Sequence, residues 1–442
     1  TENPRIACFV VYGQNPNSGT TNMSGALSLA KRLKIECPHI KICFVGSHSS
    51  ALPEEVIENS FVDIVLTNEG VYALHDLLES DLEKPLHHVK GIAWKPEADS
   101  WVFNEAGTLV PQERMDIDLP GYAWDLLPYK EKPLDLYRAH FWHAEYDLVK
   151  RTPFAAIYTS LECRFECEFC MINILNRNSH ESGKVSSDFA GMRWWSSELI
   201  LKEFDKLQEM GVKNVRISDE MFFLNKKHYY PIVQNLAERE YKFNMWAYSR
   251  IDTCRKEYLS LFKKAGINWL ALGIEAASPT VRKEITKGKF EDVKIQEVIT
   301  TIREADINVG GNFIFGFPNE KMEDLQATLD LAFDLKCEFT NMYCAAALPG
   351  SPLYRQAVQN GWDLPTTPEG YAFYAYDFKP LPTNHLKPEE VLDFRDKAWT
   401  KLMTDPDYLD AIEARFGKVA RESLIEQTKI KLKRRILENE SQ

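Results

Sequence analysis

The feature that most constrains the fold is a regular alternation of strand-like and helix-like segments that begins near residue 154. Runs of β-branched and aromatic residues recur six times, and helical patterns separate them. Strands are predicted at residues 154–159, 214–218, 242–248, 269–274, 309–315 and 339–346, and helices at residues 197–210, 229–240, 257–265, 292–305 and 321–335. Because parallel neighbours need crossover helices, this order predicts an α/β fold in which residues 154–355 form a partial (β/α)6 barrel of the TIM type.

A shorter alternation precedes the barrel. Strand patterns lie at residues 6–11, 40–45 and 61–66, and helical patterns at residues 24–33, 53–59 and 71–78. They predict a doubly wound, Rossmann-like domain over residues 1–83 that lacks its first βα unit. Residues 84–153 are richer in Pro, Asp and aromatic residues, which predicts a linker segment. Residues 356–442 predict a helical C-terminal region with helices at residues 388–403 and 407–437.

Composition limits the class of protein. The chain has 442 residues, 44% of them apolar, which is enough for two or three hydrophobic cores. No apolar run approaches the roughly 20 residues that span a bilayer, so we expect a soluble, cytoplasmic protein. The nine cysteines are unevenly spaced, which is typical of reduced thiols. The net charge of −12 argues against nucleic acid as a partner, and we expect the basic stretch at residues 429–435 to be a solvated helix face.

The strongest chemical signal is a group of three cysteines directly after the first predicted barrel strand. Cys163, Cys167 and Cys170 lie within eight residues of one another. Such short spacing allows one loop to supply three thiolates to an iron–sulfur cluster and leaves the fourth iron open to a small molecule. A zinc site or three unconnected thiols are the alternatives. The other cysteines do not supply the close second pair that zinc knuckles use; they are Cys8, Cys37, Cys43, Cys254, Cys337 and Cys344.

The cysteine loop, with Phe169 just before its last cysteine, resembles the radical SAM superfamily, and the resemblance extends from about residue 154 to residue 354. It implies a [4Fe–4S] cluster whose open iron binds the amino and carboxylate groups of S-adenosylmethionine. In this family, an electron from the cluster breaks the sulfonium bond, and the resulting 5′-deoxyadenosyl radical abstracts hydrogen from a substrate.

Further motifs follow the predicted strands in order, at the strand ends where active sites of such barrels gather. By resemblance, Ser218, Asp219 and Glu220 hold the methionine amino group, although they could instead cap a helix. Ser249 and Arg250 are placed to meet the cofactor carboxylate, unless Arg250 pairs with Asp252. The resemblance assigns the remaining contacts of S-adenosylmethionine to three side chains: Phe169, Glu275 and Phe317.

The front region resembles the second half of the cobalamin-binding domain that precedes the barrel in one branch of the superfamily. Small residues after a strand let the backbone approach a ligand closely, and the positions carried over are Gly46, Ser47, Ser49 and Gly70. Ordinary strand-to-helix turns are the alternative. His48 lies in the same loop, and a single loop histidine is expected to face solvent.

Taken together, the resemblance implies a cobalamin-dependent methyltransferase that moves a methyl group from methylcobalamin to an unactivated carbon or phosphorus. Three alternatives remain at this point: cyclisation or oxidation without methyl transfer, RNA methylthiolation, and a non-catalytic metal-binding module. The expected partners are a small-molecule or biosynthetic-intermediate substrate and an electron donor such as flavodoxin or ferredoxin.

Overall fold

The computed structural model describes residues 4–12, 18–97, 100–128, 153–181, 183–286 and 294–438. Parts of the predicted linker, of the helix at residues 292–305 and of the C-terminal region lie outside these residues. Two principal sheets are described, one of five strands and one of six, together with a two-stranded sheet at the rim of the second. Within the described residues, no helix has the length and the apolar character that crossing a membrane would require.

The first sheet has the strand order β1-β2-β3-β4-β5. The first three strands are parallel, as predicted, and the last two are antiparallel additions. The strands are β1 (Ile6–Val11), β2 (Lys41–Gly46), β3 (Ile64–Leu66), β4 (Ile92–Glu97) and β5 (Ser100–Phe103). The helices are α1 (Ser18–Thr21), α2 (Met23–Glu36), α3 (Ser47–Ala51), α4 (Pro53–Ile57), α5 (Val71–Glu79) and α6 (Met115–Asp118).

Strands β4 and β5 fall in the stretch that the sequence predicts to be a linker, so the first sheet reaches well beyond residue 83. Only the first half of β4 is buried, and the charged residues Lys95 and Glu97 follow it around Pro96. Two charged residues and a proline are unusual in a strand, so the sequence pattern did not predict β4. The Trp94 indole donates to the Asn104 side chain at 3.0 Å, which ties the end of β5 to the buried half of β4.

The second sheet is the predicted partial barrel. Its six strands are parallel and have the order β13-β12-β11-β10-β9-β6. The strands are β6 (Phe154–Ile157), β9 (Asn214–Ile217), β10 (Asn244–Arg250), β11 (Ile267–Glu275), β12 (Asn308–Phe315) and β13 (Phe339–Cys344), while β7 (Ser160–Leu161) and β8 (Arg193–Trp194) form the small hairpin. The helices are α7 (Ser197–Glu209), α8 (Lys226–Arg239), α9 (Leu259–Lys264), α10 (Pro279–Thr286), α11 (Ile295–Glu304) and α12 (Met322–Leu335).

Burial alternates along all of β13 and along the end of β9. On β9, Val215 and Ile217 are fully buried against the helices, whereas Arg216 between them is only half-buried and faces the barrel interior, where its guanidinium lies 4.8 Å from the centre of the Tyr248 ring. The largest core cluster fills the space between this sheet and its helices. The barrel therefore keeps an accessible interior, and its strands all end at the same rim.

The C-terminal region is helical, as predicted, but its last segment is not one long helix. Its helices are α13 (Pro352–Gln359), α14 (Pro388–Met403), α15 (Pro406–Phe416), α16 (Lys418–Thr428) and α17 (Arg435–Glu438). Gly417, with φ of +86°, separates α15 from α16. The basic stretch is also not wholly solvated, because Arg434 is buried and pairs with Asp396 while donating to the Phe373 carbonyl.

Gly316 directly follows β12 and lies against α14, so a substitution there tests how closely that helix packs on the barrel. It has φ of +88°, and a Cβ atom there would lie 2.5 Å from the Val391 side chain of α14. We expect Gly316→Ala to lose about 1–2 kcal/mol from the left-handed backbone and a further ~1–3 kcal/mol from overpacking. Gly211→Ala is the control, since Gly211 has φ of +76° with open space around it. Equal falls in the urea midpoints of the two variants would contradict this packing.

Candidate active site

The cysteine loop follows β7 at the rim of the barrel, and backbone contacts hold it on both sides. Asn173, which is fully buried, donates to the Cys163 carbonyl at 2.8 Å and accepts from the Cys163 amide at 3.0 Å. The Glu168 amide donates to the Ile285 carbonyl, and the Glu168 carbonyl accepts from the Leu353 amide, each at 2.8 Å. The loop is thus fixed by segments that are far away in the sequence. Asn173 was not predicted.

Cys163 is buried, Cys167 and Cys170 are half-buried, and the three thiols lie close enough to interact electrostatically. Burial is the main cause that raises the pKa of Cys163 and of Cys167 to about 12, and it raises the pKa of Cys170 well above its usual value. The Cys170 thiol also interacts electrostatically with both other cysteines. Among the described residues, no three His, Cys, Asp or Glu side chains converge on a single-ion site. A cubane offers irons at separate corners, so cluster ligands stand farther apart than the ligands of one ion.

The two acids of the motif after β9, Asp219 and Glu220, have different surroundings. Both carboxylate oxygens of Asp219 accept hydrogen bonds: from the Thr159 amide and hydroxyl, each at 2.6 Å, and from the Ser160 hydroxyl at 2.5 Å. Asp219 thus ties the end of β9 to the end of β6, and Ser218 reinforces this tie through its amide, which donates to the Ile157 carbonyl at 2.7 Å. These residues do not cap α8, because the Asn225 side chain does so.

Glu220 and Glu275 are the acids that lie within electrostatic reach of the cysteines: Glu220 of Cys163 and Cys170, and Glu275 of Cys167. Burial is the first cause that raises the pKa of each acid to about 8. Glu275 also has a left-handed φ of +65° at the end of β11. A cation that entered this site would favour the charged form of both carboxyl groups.

Arg250 ends β10 directly beside the cysteine loop. Its guanidinium lies 3.7 Å from the centre of the Phe165 ring, so the loop packs on it. It also makes a two-point contact with Asp252, at 2.6 and 2.5 Å. The alternative pairing considered from the sequence therefore forms, but it is mostly buried and not a surface contact. The Ser249 hydroxyl lies 2.6 Å from the Thr253 hydroxyl, which shapes the same turn.

Phe317 and Phe169 form an apolar wall beside the cysteines. Their ring centres are 5.7 Å apart, and Phe317 is fully buried. The turn that carries Phe317 is held by Glu320, whose carboxylate accepts from the Gly316 and Phe317 amides at 2.8 and 2.9 Å. Burial raises the pKa of Glu320 to about 7, although the two hydrogen bonds alone would lower it. The structure thus brings the predicted aromatic residues together.

The residues predicted to hold cobalamin lie at the end of β2, in α3 and in the turn between β3 and α5. Gly46 has φ of +145°, and a Cβ atom there would collide with the Val11 carbonyl of the neighbouring strand. Ser47 and Ser49 lie in α3 and are fully buried, and Gly70 begins α5 with φ of +78°. His48 is also buried, between Thr20 and Glu55, so the expectation that it faces solvent was wrong.

These loops meet the barrel rim directly. The Arg177 guanidinium donates to the Ser50 carbonyl at 2.9 Å. Ala51 packs in an apolar cluster with Met171, Ile174 and Leu348 of the barrel side. The strand ends of the first sheet and the loop of the three cysteines therefore belong to one contiguous region. The sequence predicted the two halves separately but not the contacts that join them.

Comparisons with known proteins agree with this arrangement. Residues 157–332 match the Radical SAM superfamily. An uncharacterised methyltransferase of Pyrococcus horikoshii is 28% identical over 346 residues, which cover 77% of this chain and 68% of that protein. The anaerobic magnesium-protoporphyrin IX monomethyl ester cyclase of Cereibacter sphaeroides is 24% identical over 324 residues, which cover 70% of this chain but only 47% of the cyclase.

A solved structure resembles the whole fold. It is the radical S-adenosylmethionine methyltransferase TsrM from Kitasatospora setae, with cobalamin and a [4Fe–4S] cluster bound. The TM-score is 0.66 at 14% identity, and the match covers 97% of this chain and 88% of TsrM. At this identity the likeness concerns the fold, which is that of a front α/β sheet followed by a partial barrel and helices.

His228 belongs to the hydrogen-bond network that anchors Asp219, and its substitution tests that network. Its Nε2 atom lies 2.8 Å from the Thr159 hydroxyl, and burial lowers its pKa from 6.5 to about 4. A histidine held neutral in the fold contributes stability above pH 6.5 that is lost as the pH falls toward 4. We expect wild type to lose about 3 kcal/mol more than His228→Gln between these pH values. Thermal unfolding curves that shift in parallel with pH would contradict this; His75→Gln, at an exposed position, is the control.

Proposed function

We propose that this chain, which contains a radical SAM domain over residues 157–332, is a cobalamin-dependent methyltransferase. The observation that carries the proposal is the meeting of two strand-end regions. The loop of Cys163, Cys167 and Cys170 lies at the barrel rim, and the buried small residues of α3 contact that rim through Ser50 and Ala51. Cofactors held at these two places would face each other.

The donor set of the cysteine loop suits a [4Fe–4S] cluster. Three thiols come from one loop, and Asn173 and two backbone contacts from distant segments hold that loop. When bound, the cluster supplies the electron that cleaves S-adenosylmethionine, and cobalamin supplies the methyl-carrying chemistry. A flavodoxin or ferredoxin is the kind of donor that would reduce the cluster.

The chain's own residues fit the charge pattern of S-adenosylmethionine. We assign the ammonium group to Glu220, since both oxygens of Asp219 are already engaged by Thr159 and Ser160. Arg250, which already contacts Asp252, would attract the carboxylate by its charge, and Glu275 would accept from the ribose hydroxyls. The half-buried Phe169 ring, which packs on the buried Phe317 ring, would supply the apolar surface for adenine. Asp219 then acts as the residue that positions Glu220.

An unsatisfied hydroxyl supports a ligand at α3. The Ser49 Oγ atom is buried and has no hydrogen-bond partner among the described residues. Leaving a buried hydroxyl unpaired costs about 1–3 kcal/mol, which a hydrogen bond to a bound molecule would offset. The collision expected for a Cβ atom at Gly46 shows that the turn before α3 is tightly closed, as a site of close backbone approach requires.

Ring formation without methyl transfer is the second candidate, because the cyclase of C. sphaeroides is similar over 70% of this chain. Methyl transfer requires a product heavier by one methyl group and formation of S-adenosylhomocysteine beside 5′-deoxyadenosine. Ring formation requires neither. Mass spectrometry of the product, once a substrate is found, distinguishes them.

Replacing any one of Cys163, Cys167 and Cys170 with alanine should remove the cluster, because the remaining two thiolates cannot hold it. We expect anaerobically reconstituted variants to lose most of their iron and sulfide and all reductive cleavage of S-adenosylmethionine. Cys337→Ala is the control, since Cys337 is buried between β12 and its helices, away from the loop. Unchanged 5′-deoxyadenosine formation in the loop variants would refute the assignment.

Ser49→Ala should have opposite effects on the empty and the loaded protein. Removing an unpaired buried hydroxyl should stabilise the chain without cobalamin by about 1 kcal/mol. Losing one hydrogen bond to the ligand should weaken binding of hydroxocobalamin roughly 2- to 10-fold. Ser50→Ala is the matched control, because the Ser50 hydroxyl donates to the Gly46 carbonyl at 2.9 Å and its loss should destabilise the empty chain. Unchanged affinity in Ser49→Ala would argue against this site.

A further inference from the structure

We propose that Arg193 is a positioning residue that sets the spacing between the two cofactor regions. It does so by joining Glu69 of the first sheet to Glu162 of the cysteine loop in one buried group, the Glu69–Arg193–Glu162 group. This inference rests on the proposed function, because a spacing has a purpose only if both regions hold a cofactor.

The geometry of the group is a guanidinium clamped between two carboxylates. Arg193 contacts Glu69 twice, at 2.8 and 3.2 Å. Its Nε atom donates to both oxygens of Glu162, at 3.1 and 3.2 Å, and its Nη2 atom contacts the same carboxylate. Its Nη1 atom also donates to the Val110 carbonyl at 2.6 Å. The planar fork of arginine is therefore used on both sides, which a lysine could not reproduce.

Each carboxylate stands next to a residue of a cofactor region. Glu162 directly precedes Cys163 and has a left-handed φ of +67°, so its backbone sets the start of the cysteine loop. Glu69 directly precedes Gly70, the first residue before α5, and also accepts from the Val110 amide at 2.6 Å. A movement of either loop would have to break contacts to Arg193.

Burial makes the group a strict constraint. The side chains of Arg193, Glu69 and Glu162 are only 11%, 9% and 6% exposed. A buried charge that loses its partner is strongly unfavourable. The three side chains can therefore separate only if water enters and solvates them. Such groups are better at fixing one arrangement than at adding stability. The function that follows is alignment of the two loops.

The first test uses the chain without cofactors. The substitution Arg193→Met keeps an unbranched apolar stem but removes the charged fork, and it should speed hydrogen–deuterium exchange at least tenfold in peptides that contain Val110 and Gly70. Arg303→Met is the matched control, because Arg303 contacts Glu338 and the Lys336 carbonyl, each at 2.7 Å, within the barrel alone. In the control, exchange around Val110 should stay at the wild-type rate.

The second test measures alignment by two products that need no substrate. With titanium(III) citrate as reductant, 5′-deoxyadenosine forms when S-adenosylmethionine is cleaved at the cluster. S-adenosylhomocysteine forms when its methyl group passes to reduced cobalamin, breaking the sulfur–methyl bond and forming a cobalt–carbon bond. Arg193→Met should lower S-adenosylhomocysteine formation at least tenfold and leave 5′-deoxyadenosine formation within twofold of wild type, at equal iron and cobalamin content.

Two milder variants keep the test decisive if Arg193→Met does not fold. Glu69→Gln preserves the side-chain shape, and Arg193→Lys preserves the charge; both should shift the product ratio in the same direction by a smaller factor. Equal losses of both products, or an unchanged ratio in folded variants, would overturn the positioning role alone. A wild-type protein that binds no cobalamin would overturn the proposed function, and this inference with it.

Discussion

The structure depends on one constraint of parallel sheets: all strands end at the same edge. In the barrel this gathers the cysteine loop, which follows β6 and the short β7, with the acidic turn after β9, Arg250 at the end of β10, Glu275 at the end of β11 and Phe317 after β12. The three parallel strands of the first sheet also gather their ends, at α3 and α5. The barrel rim then packs on α3, so two collections of loops form one region.

Buried ionisable groups dominate the chemistry of that region. Burial favours the neutral forms of the three thiols and of the carboxyl groups of Glu220 and Glu275. Such groups are poised to ionise when a positive centre arrives, whether an iron or a sulfonium compound with its ammonium group. Asp219 differs from these acids because its carboxylate accepts three short hydrogen bonds, and these bonds join the end of β6 to the end of β9.

Much of the fold could be predicted because each barrel strand carries its own local pattern. All six barrel strands and the helix at residues 388–403 lie within a few residues of their predicted bounds. The elements that were missed have weak or contrary local patterns. The second half of β4 contains Lys95, Pro96 and Glu97, and Gly417, with φ of +86°, interrupts a pattern that is otherwise helical.

The candidate site was also predicted only in part. Cysteine spacing and motif order identified the residues along the chain, but no local pattern marked Asn173, Thr159 or Arg193, whose roles arise from contacts across 10 to 124 positions.

The central claim is that three thiolates of one loop hold a cluster whose open iron binds S-adenosylmethionine. The most direct measurement is electron–nuclear double resonance on the anaerobically reconstituted, reduced protein with S-adenosylmethionine labelled with ¹⁵N in its amino group. We predict a ¹⁵N hyperfine coupling to the cluster, because the amino nitrogen would be bound to iron. A reduced cluster signal without any ¹⁵N coupling at saturating S-adenosylmethionine would contradict the account.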